Sequence, residues 1–409
     1  MGGCLLAASL LAGCSIGEKK VAVSVHNPLG LQRDGEMVEI SLNDLKKIQL
    51  KEGESYVVLN QNKEQVPCQL TYDSLLIFPA SVAANGDAEY IIRAGQPEKV
   101  DTVACGRFYP ERLDDIAWEN DKAAYRAYGP ALQEKGEKAY GYDVFTKSVS
   151  YPVVEKRYAM ELDPTVRPLI RSLRANGNKA DKAKADSLEH IISYHVDHGD
   201  GMDVYNVGPT LGGGTAALMD GENIVYPYCF KEYAILDNGP LRFTMKLTYD
   251  PLVIKGDSNV IETRVLSLDK GSHLNRMVIT YQNLSQPTSV VAGTVVHSQN
   301  PNGYEANAAD RYVAYADSTN SPKNGNGVIY VGASFPKALK SASAVMFPSP
   351  INDAIGHVLG VSEYKPGDTF VYYWGSGWSK GGVKDMEAWT SYLKDYSAKL
   401  AAPLEVKVK

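Results

Sequence analysis

The stretch NVIETRVLSLDKGSHLNRMVITYQNLS, residues 259–285, alternates apolar and polar side chains on both sides of an Asp-Lys-Gly-Ser joint. A period of two marks a half-buried strand, and two such runs across a short polar joint make an antiparallel pair. The same texture extends outward. Upstream lie ENIVYPYCFKEYAIL (222–236) and GPLRFTMKLTYDPL (239–252). Downstream come TSVVAGTVVHS (288–298), DRYVAYAD (310–317), GVIYVGASF (327–335), AVMFPS (344–349), GHVLGVSEY (356–364) and DTFVYYWGSGW (368–378). About ten strands with no helical pattern between them predict a large antiparallel double sheet. The closing segment changes period: Met386, Trp389, Leu393, Tyr396 and Leu400 recur at helical spacing, so a terminal helix is expected to lay one face on the sandwich.

The front of the chain is also β in pattern. VAVSVHN (21–27), MVEISL (37–42), YVVLN (56–60), QVPCQLTY (65–72), SLLIFPA (74–80) and AEYIIRA (88–94) are separated by turn-forming polar clusters. They predict a small β-sandwich over 21–105, with 106–409 forming the larger body. With 409 residues the chain is long enough for both. Before them, MGGCLLAASLLAGC resembles a bacterial lipoprotein signal over 1–14, without the usual basic start, and implies acylation of Cys14. A lipid anchor would be the sole membrane attachment and would place the protein in the periplasm or on the cell surface. Of the five cysteines, Cys68, Cys105 and Cys229 match no metal-ligand spacing and read as packing residues. Net charge is -6, which argues against a nucleic-acid partner.

Chemistry concentrates between 190 and 218, HIISYHVDHGDGMDVYNVGPTLGGGTAAL, where three of the seven histidines fall. His195 and His198, with Asp197, Asp200 and Asp203 beside them, suit proton transfer, because imidazole titrates near neutrality and a neighbouring acid orients its tautomer. The same pair can ligate zinc with a third residue such as His273 or His297. The spacing lacks the helical context and glutamate of a zinc-protease motif, so a divalent metal is the lesser alternative and no cofactor is required. GPTLGGG fits neither phosphate-loop pattern; its glycines suit close backbone approach to a ligand or a sheet corner.

A second polar cluster spans Cys105–Gly141, where helix and strand propensities conflict. It brings Arg107, Arg112, Trp118, Glu119, Asn120, Asp121, Arg126 and Tyr128 close in sequence. A ring beside acids and an amide suits sugar recognition, although a lone tryptophan is more often core. Trp374 and Trp378 on a glycine-rich tract offer either exposed sugar platforms or a buried corner. Between Pro164 and His190, lysine-rich ADKAKAD reads as a solvated helix face next to the histidine run, positioned to cover a site.

Taken together, RFYPERLDDIAWENDKAAYRAYGPAL (107–132), YHVDHGDGMDVYNVGPTLGGGTAAL (194–218), RMVITYQNLS (276–285) and YYWGSGWS (372–379) resemble a Bacteroidota lipoprotein family that accompanies pectin and ulvan degradation. The resemblance covers nearly all of the chain after the signal. It implies an all-β, galactose-mutarotase-like supersandwich with an N-terminal β-domain and a few peripheral helices. It also implies an oligosaccharide dehydratase acting on terminal unsaturated uronates.

The chemistry of such an elimination assigns base and acid to His195 and His198, with Tyr205 or Tyr142 able to replace either. Arg107 or Arg112 would clamp the carboxylate, Trp118 and Trp378 would stack the sugar, and Glu119 and Asp203 would bind hydroxyls. A polysaccharide lyase, a mutarotase-like enzyme and a non-catalytic carbohydrate-binding lipoprotein are the alternatives.

Overall fold

The computed structural model describes residues 19–319 and 322–409; Cys14 and the 1–14 leader lie outside them. The strands read from 259–285 form the middle of the largest sheet. Asp257–Asp269 pairs antiparallel with Leu274–Gln282, with Val265 opposite Val278 and Leu266 opposite Met277. Inward positions Val260, Leu266, Leu268, Met277 and Ile279 are fully buried. This alternation is the physical basis of the register, because a slip of one residue would turn every apolar side chain to water.

Around that pair the nine-stranded sheet runs Phe230–Asn238, Arg242–Tyr249, Asp257–Asp269, Leu274–Gln282, Phe370–Trp378, Ile329–Ser334, Tyr312–Asp317 and Tyr304–Asn307, with Leu252–Ile254 paired to one side. Its core face is shared with a five-stranded sheet ordered Asn223–Val225, Ala216–Asp220, Thr288–His297, Ala354–Tyr364 and Ser341–Ile351. The chain is thus all-β in its core, as its alternating pattern predicts. ENIVYPYCFKEYAIL does not form one strand. It ends in one sheet at Val225 and begins in the other at Phe230, because Pro227 cannot donate to a ladder.

The ambiguous 105–145 region also resolves as β. Cys105–Tyr109, Asp115–Glu119, Ala124–Ala127 and Asp143–Phe145 make a four-stranded antiparallel sheet. Tertiary packing overrides the alanine content. Trp118 and Tyr125 lie in the shared core, Trp118 near Tyr142 and Trp374, and Tyr142 stacks on Trp374 at 4.7 Å. Five helices are peripheral among the described residues: α1 (Pro130–Glu134), α2 (Val154–Glu161), α3 (Val166–Asn176), α4 (Lys179–Ile192) and α5 (Met386–Ala401). Helices α3 and α4 form a hairpin around Ile170, Leu173, Ala185 and Ile192, with the lysine-rich stretch on its solvated side. Helix α5 buries Trp389 and Leu393 against the nine-stranded sheet.

The N-terminal strands form a second sandwich with its own core of Val21, Val23, Val25, Val38, Ile40, Phe78 and Ile92. QVPCQLTY splits into Gln65–Val66 and Gln69–Leu70 around Pro67. One strand of this sandwich comes from the far end of the chain. Glu405–Val408 pairs with Lys20–His26, and buried Arg33 donates to the Ala402 carbonyl. A boundary drawn at 105/106 therefore misses the return of the last residues, a pairing with no local signal.

The glycine tract meets a sheet corner. A Cβ on Gly214 would lie 2.5 Å from the Trp374 ring, while Tyr372 donates to the Gly214 carbonyl at 2.8 Å. Gly214→Ala is therefore expected to cost about 1–3 kcal/mol through overpacking, read as a lower urea midpoint with an unchanged slope.

Candidate functional site

Where the four-stranded sheet, the 195–210 segment and the tip of the Ser341–Ile351/Ala354–Tyr364 hairpin meet, they enclose a cleft of about 330 Å³. Its walls include Arg126, Tyr128, Glu137, His195, Asp203, Tyr205, Asn206 and Asp353.

The floor is organised by Arg126. Its buried guanidinium pairs with Asp143, lies 3.1 Å from Asp203 and 3.7 Å from Asp115, and donates to the Tyr128 hydroxyl at 3.2 Å. Tyr128 in turn donates to Asp143 at 3.0 Å. Three carboxyl groups around one cation cannot all be compensated. Burial, then Asp203, pushes Asp143 up to about 7 against the pull of Arg126. Burial likewise lifts Asp115 to about 6, opposed by Arg126 and Arg112. Both carboxyls thus hold their protons to higher pH than ordinary ones.

Asp203 couples the cluster to the histidine run. Its N–H donates to the Tyr194 carbonyl at 2.9 Å, and its own carbonyl accepts from His195 Nδ1 at 2.8 Å. That bond puts the proton of neutral His195 on Nδ1 and leaves Nε2 as an acceptor. The side chain is 55% exposed at the cleft wall. Tyr205 is buried, and its hydroxyl has no hydrogen-bond partner among the described residues. Its ring lies 6.0 Å from that of His297, whose Nδ1 meets Asp317 at 2.6 Å. Burial pushes His297 down, but Asp317 outweighs it and the imidazole is raised above its ordinary value. Asp353 accepts from Asn206 at 2.8 Å and from Gln299 at 3.0 Å. Burial raises this carboxyl; the two amides and His297 outweigh it and hold the group below the usual range.

Of the residues expected from sequence, His195, Asp203 and Tyr205 come together here. His198 does not: its Nε2 contacts the Ser193 carbonyl at 3.0 Å, and it lines a small recess with Lys156, Arg157, Ile192 and Asp200. Tyr142 is core, its hydroxyl accepting from buried Arg264 at 3.0 Å. Arg107 is held outside by Glu111 and Glu155, each at 2.8 Å. Arg112 donates to the Tyr194 hydroxyl behind the cleft wall.

Trp118 and Trp378 are corrected from sugar platforms to buried rings, donating to Asn275 Oδ1 at 2.8 Å and to the Asn326 carbonyl at 2.9 Å. Glu119 is likewise structural. It is buried against Lys147 at 2.6 Å and accepts the N–H groups of Val153 and Val154 where α2 begins. Cys68, Cys105 and Cys229 are free and half-buried, and burial pushes the Cys105 and Cys229 thiols up to about 11.

Sequence reasoning gave no role to Arg126, Tyr128, Asp143, Asp317 or Asp353. Arg126 and Tyr128 lie inside the quoted cluster, and an arginine two residues before a tyrosine on a strand was the available signal.

A family model described as "Domain of unknown function (DUF4861)" matches residues 25–406. The chain belongs to the DUF4861 family. It is similar to "Uncharacterized protein P7" of Formosa agariphila, 27% identical over 428 residues, covering 99% of this chain and 98% of that protein. Among solved structures it is similar to a glycosyl hydrolase family 38 protein from Enterococcus faecalis, at 11% identity and a TM-score of 0.49, covering 96% of this chain and 48% of the other. An alpha-mannosidase from Enterococcus faecalis V583 matches at 11% identity and a TM-score of 0.43, with 95% and 46% covered. This DUF4861 chain therefore spans about half the length of those two structures.

Two measurements test the assignments within this DUF4861 protein. Glu119→Ala should lose about 3–5 kcal/mol of stability by stranding buried Lys147, seen in urea unfolding, in contrast to the small effect expected of a group that only binds ligand. The raised carboxyls have the opposite sign from ordinary acid denaturation: the folded state holds protons that the unfolded chain releases. Their contribution is fully present below about pH 4 and is lost as pH rises through about 6 and about 7. Arg126→Met should therefore destabilise more at pH 8 than at pH 5, measured by urea midpoints at both.

Proposed function

We propose that this DUF4861 protein is a lipoprotein, anchored through Cys14 in the periplasm or at the cell surface, that acts on uronic-acid-containing oligosaccharides of pectin or ulvan type. It removes water from a terminal unsaturated uronate. The observation that carries the reading is the meeting, in one cleft, of His195 with a free ring nitrogen and Tyr128 hydrogen-bonded to a carboxyl that keeps its proton to about pH 7.

The steps follow from those groups. His195 Nε2 takes a ring proton as the C–H bond breaks. The electron pair forms the new C=C bond, and the C–O bond to the departing hydroxyl breaks. Tyr128 gives that hydroxyl its proton and is restored from Asp143, so water leaves and the proton on His195 returns to the cluster by way of solvent. Tyr205 stands in the same wall as a second phenolic donor. His198, Arg107 and Tyr142 have no part in this scheme. Arg126 supplies the positive field for the substrate carboxylate, and Asp203 accepts from sugar hydroxyls.

The charge balance makes a prediction. With Glu137, Asp203 and Asp353 on the wall, an anionic sugar is accommodated best when Asp143 is protonated. Both proton donation and anion binding then weaken together, so kcat/KM should fall as pH rises through about 7. A pH-independent plateau from pH 6 to 9 would sink the Asp143 assignment.

The reaction itself is tested by incubating the soluble protein lacking residues 1–14 with unsaturated pectic and ulvan oligosaccharides and weighing the products. Loss of one water at constant chain length is expected, reduced about 10²–10⁴-fold by His195→Ala and by Asp143→Asn, with His198→Ala close to wild type. Shorter products would mean a lyase or hydrolase. The excess of acids over bases on the wall favours one second reading, a mutarotase-like enzyme for uncharged sugars, which exchanges anomers without loss of mass.

A further inference from the structure

Burial of Trp118 and Trp378 leaves Tyr128 and Tyr205, both given to acid-base chemistry above, as the aromatic residues of the cleft wall, and a further aromatic surface lies beside it. The chain crosses from the five-stranded to the nine-stranded sheet at Tyr226-Pro227-Tyr228. The Tyr140 ring meets both tyrosines there, with centroids 5.4 Å from Tyr226 and 5.9 Å from Tyr228. Tyr226 continues to His357 at 6.2 Å, and Phe347 meets the same imidazole at 4.9 Å. Tyr228 is 46% exposed, while Tyr140, Tyr226 and Phe347 are half-buried.

This strip is continuous with the cleft on two sides. Ala139 and Gly208 line the cleft, and the Tyr140 N–H donates to the Gly208 carbonyl at 3.3 Å. Phe347 belongs to the strand that ends at Ile351, another wall residue. Beneath the strip, His357 accepts the Leu211 N–H at 3.1 Å, which fixes the loop carrying Thr210 and Gly208 against the rings.

Neighbouring tyrosines held half in water, on a backbone pinned by a proline, present flat apolar faces with polar edges. That combination suits the C–H face and hydroxyls of a pyranose. We propose that Tyr140, Tyr226 and Tyr228 form a sugar-stacking subsite for the residues that follow the one held in the cleft, so that the protein selects oligosaccharides over their terminal disaccharide. The inference rests on the oligosaccharide reading above. It adds the direction in which the bound chain runs, out of the cleft past Ala139 towards the crossing at Pro227.

The test uses unsaturated di- and tetrasaccharides released from ulvan by a polysaccharide lyase. For Tyr228→Ala and Tyr140→Ala, kcat/KM and calorimetric affinity for the tetrasaccharide should fall about three- to tenfold, with the disaccharide unchanged and Tyr228→Phe near wild type. Turnover with the same length dependence in every variant would overturn the subsite and leave the dehydratase reading standing. Tighter binding of the tetrasaccharide that is lost in Tyr228→Ala, with no change of mass in either sugar, would uphold the subsite and remove the dehydratase reading. Absence of tetrasaccharide binding to the wild-type protein would overturn the subsite.

Discussion

The site depends on the buried guanidinium of Arg126. It is the point at which the hairpin Asp115–Glu119/Ala124–Ala127, the strand Asp143–Phe145 and the histidine-bearing segment are fastened together, through Asp115, Asp143 and Asp203. A cation out of water is tolerated only when its donors find acceptors, and a carboxyl out of water only when it meets a cation or keeps a proton. One arginine among three acids meets the first condition at its two terminal nitrogens, while Nε has no partner among the described residues, and meets the second only in part. The unsatisfied part is the retained proton, and it makes the cluster chemically useful. Removing the Asp203 carboxyl would ease the packing and lower the pH up to which Asp143 keeps its proton.

The same contact sets the position of His195. Asp203 holds Arg126 through its side chain while its backbone N–H and C=O engage Tyr194 and the His195 ring. The polar run therefore owes its shape to a partner 77 residues earlier. No residue within the run could have reported that. His195, Asp203 and Tyr205 were legible as a dense set of titratable and aromatic side chains. His198 belongs to the same set by composition alone; a few residues of irregular backbone turn it towards α2 and the end of α4.

The fold was more legible than the site because alternation is written in every strand. What escaped were features decided by distant contacts. The return of Glu405–Val408 to pair with Lys20–His26 leaves no trace in either segment. The hairpin at 115–127 has alanines that favour helix, and only the burial of Trp118, Tyr125 and Ala124 in two different cores makes strand the better solution. Trp118 and Glu119 show the limit most clearly. A tryptophan followed by an acid looks like a sugar site, but on a strand the two point to opposite faces, one into the aromatic stack and the other to Lys147. Asp317 and Asp353 were hidden for a related reason: each lies in or beside a core strand, where a single polar position is indistinguishable from an ordinary satisfied one, and His297 stood out only as a third metal ligand.

The division between a polar floor and an aromatic rim also orders the way a ligand can enter. Desolvating a charged sugar ring is costly unless its charge is met, and the cation among the cleft's described wall residues lies at the floor beside carboxyls able to take up a proton. Stacking on tyrosine asks for no charge and tolerates water at the edges, so it belongs where the wall opens. An oligosaccharide with a single anionic end would satisfy both requirements in only one direction, acid end inward and neutral residues along the tyrosines. A chain anionic at every residue would place later charges beside Glu137 and against uncharged rings. On the proposed oligosaccharide reading, the arrangement favours ligands whose charge is sparse, such as an alternating polymer of uronate and neutral sugar.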